Sequence, residues 1–455
     1  MDTAKILDSP RRYAQFVAPQ RQQKQGPPRL DAYARLLARF YEVLFFSRVA
    51  SQTRGLHTEY PPDRNDEQAC RRRFLRNISF ICDFDKGGAS CTAVGLEDSE
   101  ACYKFWVASN APRNKTVDIL RQVLRCLARL TTTPTTDMDK KTEEFHAMCL
   151  ELTKPRIKKE WKLLKRAIGK ISGTLADSEQ DRALLGWLSA FSYKDEIQIC
   201  KSAHEAKDSP LIKEMGLRAR QQHVSKPGWR SPFADAKHYV GRLAQHVVCI
   251  EELIQDSHEF SHVLDTYEVH MIAKRPNVQA PVSDAHTTLD SILNRMFSKG
   301  DPKKDEVKEH LFRLDHQSNR TFFLRFLKQY SDCRPQVHAE IQVLEHFYES
   351  GLAFADNDRY IGCSKPSCYC CMLYFKHHPA GMVVPESHQN VWSNWAPPLV
   401  EKYQKDDPEF VRQRNVLNAV IRDLRHDFTQ QITSGMGPPS WHPDSVSATS
   451  MVPPR

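Results

Sequence analysis

Three cysteines fall within four positions in the stretch SKPSCYCC: Cys368, Cys370 and Cys371. Such a cluster suits a redox pair, a structural zinc knuckle or one half of a catalytic metal site, and a matching ligand elsewhere in the chain separates these readings. Upstream the sequence reads VHAE, which sets His338 and Glu340 in H-x-E spacing. The spacing predicts H-x-E at the first turn of one helix and Cys368 and Cys371, as C-x-x-C, at the first turn of the next. Two cysteines three apart at a helix start place both sulfurs on one side of a turn, where the positive helix end favours the thiolates a zinc ion needs. A neutral His338 is the third ligand, and a fourth position left to water marks a catalytic rather than a structural zinc. Glu340, two residues past the histidine, points elsewhere than the imidazole and is free to move protons between that water and a substrate. The alternative is a structural zinc or a reduced cysteine cluster drawing on Cys363, Cys370 or both; Cys370 is expected to face the core.

The elements that must position these residues follow from hydrophobic period and turn chemistry. VHAEIQVLEHFYESG has Ile341, Leu344 and Tyr348 at helical spacing and Gly351 where a C-cap glycine belongs. RYIGCS reads as a short strand, CYCCMLYFKHH as a second helix, and GMVVPES as a further strand. Earlier, NISFICDF, CTAVGLE and YKFWVASN are rich in β-branched and aromatic residues and are separated by the turn compositions DKGGAS and DSEA, so residues 77–110 read as two or three antiparallel strands. A helical period fills Leu30–Val49 and returns after Asn114, as at Val117, Leu120, Val123, Leu124 and Leu127. It persists to about Tyr330, where YEVHMIAKR, 267–275, is a possible isolated strand.

HAE and SKPSCYCC, with the later SHQNVWSNWAPP, resemble the zinc-dependent cytidine and nucleic-acid deaminase superfamily, and most closely a largely fungal branch of it. In that superfamily a strand hairpin precedes the H-x-E helix; CTAVGLEDSEACYKFWVASN fits it and ends in Asn110. The resemblance implies an α/β fold with a three-layer cytidine-deaminase-like core, a mixed sheet flanked by helices, interrupted by a large, mainly helical insertion. It implies Zn2+ on His338, Cys368 and Cys371, Glu340 as the proton carrier, Asn110 holding the substrate, and hydrolytic loss of ammonia from a nucleobase that is free, in a nucleoside or in nucleic acid. One departure is plain: Ser367 separates Pro366 from Cys368, where the signature has proline directly before the cysteine. The expected organisation is an unstructured 1–27, a helical segment 28–74, a first core part 75–112, the insertion 113–332, a second core part with the zinc site 333–400, a helix 401–434 and an unstructured tail 435–455. A binding or scaffold module that keeps the fold around a structural zinc is the competing class.

Two further signals compete for attention. His258, Glu259 and His262 in DSHEFSHVLD match the H-E-x-x-H of zinc metalloproteases, but no third ligand follows at a suitable distance, and a polar helix face is the simpler account. KPRIKKEWKLLKRAIGK, 154–170, carries basic residues opposite an apolar stripe of Ile157, Trp161, Leu164 and Ile168. Such a helix suits a nucleic-acid surface, or simply packs its stripe inward. Trp392 and Trp395 suit either base stacking or the core.

Composition bounds the rest. With 455 residues the chain is long enough for two or three domains, and 40% hydrophobic with 27% charged residues is a globular balance. No run approaches a membrane span, and MDTAKILDSPRRYAQF lacks the apolar core of a secretion signal. Thirteen cysteines, mostly scattered singly, suit free thiols in the cytosol or nucleus. A net charge of +9, from 65 basic and 56 acidic residues, permits an anionic partner without requiring one.

Overall fold

The computed structural model describes residues 9–18, 30–58, 66–111, 114–173, 178–193, 195–225, 231–401, 403–435 and 447–448. In chain order the elements that matter are helix α1 (Ala32–Ala50), helix α2 (Glu67–Cys82), strands β1 (Thr92–Asp98) and β2 (Tyr103–Ser109), helices α3 (Thr135–Ser172) and α4 (Pro232–Glu259), strand β3 (Tyr267–Met271), helix α5 (Ala339–Ser350), strand β4 (Ile361–Cys363), and helices α6 (Tyr369–His377) and α7 (Pro408–Thr433). The architecture is mixed α/β, mostly helical, with one four-stranded mixed sheet. Packing divides the chain into two units. One comprises Met1–Thr58, Arg275–His338 and Cys368–His442; the other comprises Glu59–Lys274, Ala339–Ser367 and Pro443–Arg455.

The first unit is helical. Asp31 caps α1 by accepting the Ala34 N–H at 2.7 Å, and Asp407 caps α7 by accepting that of Phe410 at 3.0 Å. Leu36, Phe40, Leu44 and Phe45 of α1 turn inward, with Phe46 stacked between Phe326 and Phe428 at ring separations of 4.1 and 5.5 Å. The short helix α6 lies on α7: Tyr374 donates to Gln413 Oε1 at 2.9 Å, Lys376 reaches Asp423 at 2.9 Å, and the Tyr369 hydroxyl bonds Asp427. Burial and the Asp427 bond push the Tyr369 phenol far above its usual range.

The second unit holds the sheet, in the order β3-β2-β1-β4. β1 runs antiparallel to both β2 and β4, and β2 runs parallel to β3. Helices cover both faces, and two glycines set how closely. Val94 pairs with Gly362 and Gly95 with Ile361, so the two glycines face opposite ways. A Cβ on Gly95 would lie 2.6 Å from the Phe347 ring of α5, and one on Gly362 would lie 2.5 Å from the Leu75 backbone of α2. Behind α2, helices α3 and α4 share a buried ion network: Arg242 and Arg156 reach Glu160 Oε1 at 2.7 and 3.3 Å, and His246 reaches Oε2 at 3.2 Å. Burial alone would raise the Glu160 carboxyl; Arg242, His246 and Arg156 hold it well below its usual range.

Several expectations need correcting. NISFICDF is not a strand: Asn77–Cys82 forms the last turns of α2. Both sides of the helix are covered there, so polar Asn77 and Ser79 are as buried as Ile78 and Phe80, and the helical period disappears. GMVVPES forms no strand; its single bridge is Thr58 to Ser387. YEVHM is not isolated but pairs with β2 as the sheet edge. Ser9–Val17, within a stretch whose composition suggested no structure, is a helix that buries Phe16. The rest of 1–27 and nearly all of the tail beyond Gly435 lie outside the described residues.

The remaining signals resolve within the second unit. α4 ends at Glu259, and Phe260 (φ −104°) breaks the chain direction before a short helix Ser261–Asp265, so His258 and His262 do not share one helix face. In α3, Ile157, Leu164 and Ile168 are buried, while Trp161 is half-buried and donates to the Phe191 carbonyl at 2.9 Å. The apolar stripe therefore packs inward. Lys158 and Lys159 on the charged side meet Glu196 and Asp85.

Candidate metal centre and its surroundings

His338, Cys368 and Cys371 come together in the first unit, and their ligand atoms all lie within 4.8 Å of one another. Among the described residues no other group of histidines, cysteines and carboxylates has this geometry, the H-E-x-x-H residues included. His338 Nδ1 lies 3.6 Å from Cys368 Sγ and 3.4 Å from Cys371 Sγ. A tetrahedral zinc with bonds of about 2.3 Å to sulfur and about 2.0 Å to nitrogen needs a sulfur-to-nitrogen separation of about 3.5 Å, so the donor set fits the ion in type and in spacing.

Local structure explains the placement. Cys368 is the N-cap of α6 with extended backbone (φ −75°, ψ 166°), and Cys371 sits in the first turn. Both sulfurs are thus at the positive end of the helix, where a thiolate is favoured. The Tyr369 N–H donates to the Asn390 carbonyl at 3.0 Å, fixing the entry to the helix. Cys370 is not among the three grouped donors and is fully buried, which pushes its thiol well above the usual range. Cys363 lies in β4 of the other unit. The group of three donors thus forms without Cys363 or Cys370.

Trp395 carries a part that spacing did not disclose. Its side chain is fully buried, which removes base stacking as its role, and its indole N–H donates to Cys371 Sγ at 3.0 Å. The same segment pairs with the chain just before His338: the Gln336 N–H donates to the Asn394 carbonyl at 2.8 Å and the Ala396 N–H to the Gln336 carbonyl at 3.0 Å. The tryptophan ring packs on Tyr374 of α6 and Phe40 of α1. One residue therefore joins the histidine segment, the cysteine helix and the core. Two aromatic residues near a Pro-Pro pair gave no hint of which would be the donor.

In the second unit, Glu340 stands in the first turn of α5 and is buried to 9% exposure. Asn110, at the end of β2, accepts the Ala339 N–H on Oδ1 at 2.8 Å and donates from Nδ2 to the Gly88 carbonyl at 2.8 Å. It fastens the strand end and the DKGGAS loop to the head of the helix that begins one residue after His338.

Residues 337–399 match the OTT_1508-like deaminase family, within the cytidine deaminase-like superfamily. The segment is similar to a deaminase. The matched stretch holds His338, Glu340, Cys368, Cys371 and Trp395, and excludes β1, β2 and Asn110. No curated protein and no solved structure matches the chain. No described helix is long and apolar enough to cross a membrane.

Proposed function

We propose that the protein is a zinc-dependent hydrolytic deaminase acting on an amino-bearing nucleobase. The observation that carries this is the fit of the His338, Cys368 and Cys371 donors to tetrahedral zinc inside a segment that resembles deaminases. When bound there, zinc would supply Lewis-acid activation of a water toward the amino-bearing carbon. Cys368 and Cys371 would hold the ion as thiolates at the helix start, with the Trp395 N–H fixing the second of them. Glu340 would take a proton from the attacking water and return protons to the ring nitrogen and the departing amine, so that a carbon–oxygen bond replaces a carbon–nitrogen bond and ammonia leaves. Asn110 would position the substrate from the end of β2. The stack of α5, the sheet and α2 supports reading the second unit as the layered part of a deaminase core. A cytosolic or nuclear setting belongs to the same proposal and is supported by thirteen free thiols.

The test is ammonia release from a panel of free bases, nucleosides, nucleotides and single-stranded DNA and RNA, run on zinc-loaded protein and on Glu340→Gln. Release that depends on Glu340 is the expected result. Protein that binds zinc yet releases ammonia from nothing in the panel would move the chain to the scaffold class.

A further inference from the structure

The loop before β1, DKGGAS, lies among several cations, of which Lys86 is the one without a carboxylate partner among the described residues. Lys365 Nζ donates to the Gly87 carbonyl at 2.7 Å and lies 3.5 Å from Asp83, with only 14% of its side chain exposed. Lys86, half-buried, places its ammonium 5.5 Å over the Tyr239 ring, and no carboxylate among the described residues pairs with it. Around Lys86 stand Arg242, Lys365 and Arg156, against Glu160; burial first, and then these cations, push its amine down to about 8. Arg156 is 1% exposed and keeps an Nη2 donor without a partner, although Nη1 serves the Phe80 and Asp83 carbonyls at 3.0 and 2.9 Å. Four cations thus face two buried carboxylates, Asp83 and Glu160.

The backbone adds donors. Gly87 has φ +135°, a conformation that excludes other residue types, and a Cβ at either Gly87 or Gly88 would meet nothing within 4 Å. The N–H groups of Gly87, Gly88 and Ala89 donate to no protein acceptor among the described residues, and all three residues are exposed. Free backbone N–H groups beside Lys86, whose ammonium pairs with no carboxylate among the described residues, form a cradle for a compact anion. The cradle is tied to the proton carrier's helix, because Asn110 bonds both Gly88 and Ala339.

We propose that Lys86, Gly87, Gly88 and Lys365 receive a phosphate group of the substrate, which makes the substrate a nucleotide or a nucleic-acid strand rather than a free base or nucleoside. The word substrate rests on the deaminase reading; the phosphate site does not. Surface lysines that are merely solvated would not explain a half-buried ammonium set among three other cations, or a glycine pair with open space beside it.

The experiment is calorimetric titration of the full chain with inorganic phosphate, a pyrimidine nucleoside, its 5′-monophosphate and a short single-stranded oligonucleotide. It is repeated on Lys86→Gln and, as a remote cation control, Lys170→Gln. The monophosphate or the oligonucleotide should bind at least about tenfold more tightly than the nucleoside, and Lys86→Gln should remove that advantage while leaving nucleoside binding unchanged. Preference for the monophosphate identifies a free nucleotide; preference for the oligonucleotide, with affinity falling steeply in salt, identifies a strand. Equal binding of nucleoside and phosphate-bearing ligands, no phosphate binding at all, or the same affinities in Lys86→Gln would overturn the assignment. Because no ammonia is measured, the outcome is independent of whether the chain deaminates anything.

Discussion

The indole N–H of Trp395 donates to Cys371 Sγ across 3.0 Å, inside a core where the tryptophan has no exposure at all. A donor fixed on one ligand sulfur stabilises its thiolate and its direction, and groups in this position commonly contribute about 10–100-fold in metal affinity. Trp395→Phe keeps an aromatic body in the core and removes the N–H. Zinc affinity, read by competition with a chromogenic chelator, should fall by about tenfold or more while far-ultraviolet circular dichroism is unchanged. Wild-type affinity in this variant would make the tryptophan a packing residue only.

Purified protein should hold about one zinc per chain by elemental analysis, and Cys368→Ser or Cys371→Ser should lose it, since each sulfur would be one of three protein ligands under the proposed function. Cys370→Ser and Cys363→Ser should retain the metal, because neither belongs to the triad. His258→Ala should retain it too. Loss of zinc on changing Cys363 or Cys370 would revive the structural cluster.

Glu340→Gln separates metal binding from turnover. The amide cannot accept and return protons, so activity should drop by about two to four orders of magnitude with zinc content intact. Retained activity would remove Glu340 from the reaction.

The two sheet glycines make opposite faces testable. Gly95→Ala pushes a methyl toward the Phe347 ring, which can shift, and should cost about 1–3 kcal/mol in denaturant unfolding. Gly362→Ala meets the Leu75 backbone, which moves only with α2, and should cost more than Gly95→Ala. Equal, negligible costs would mean that the helices lie less closely on the sheet than described.

Asp423 gives a pH dependence with a definite sign. Burial alone would raise its carboxyl, but hydrogen bonds from Lys376 and His377 hold it below its ordinary value. A folded value below the unfolded one, about 3.9, means that the charged form stabilises the fold above that pH and that this contribution is lost as pH falls through the lower, folded value. The acid limb of a stability curve should therefore be shallower in Asp423→Asn than in the wild type.

The grouping of His338, Cys368 and Cys371 was legible in the sequence because it depends on local spacing: C-x-x-C at one helix start and a histidine just before another bring the three donors to helix ends. Long-range pairing was not. Nothing in YEVHM names β2 as its partner, since a parallel pair separated by more than a hundred and fifty residues leaves no turn signature. α2 was misread for the opposite reason. Its last turns are covered on every side, so neither the period of 3.6 nor the period of 2 survives, and β-branched and aromatic content filled the gap. Trp395 escaped because a hydrogen bond from a core residue to a ligand leaves no pattern of its own.

The parallel pairing of β2 with β3 changes what the helical stretch between them is. Strands that run side by side in the same direction cannot be joined by a hairpin; the chain must travel back along the whole strand length, a return of roughly a dozen residues at minimum. The helices from Asn114 to Asp265 make that return. They are a connector that the sheet topology requires, elaborated far beyond the minimum, and not a module that a short linker could replace. Shortening it below the length of that return would detach the edge strand.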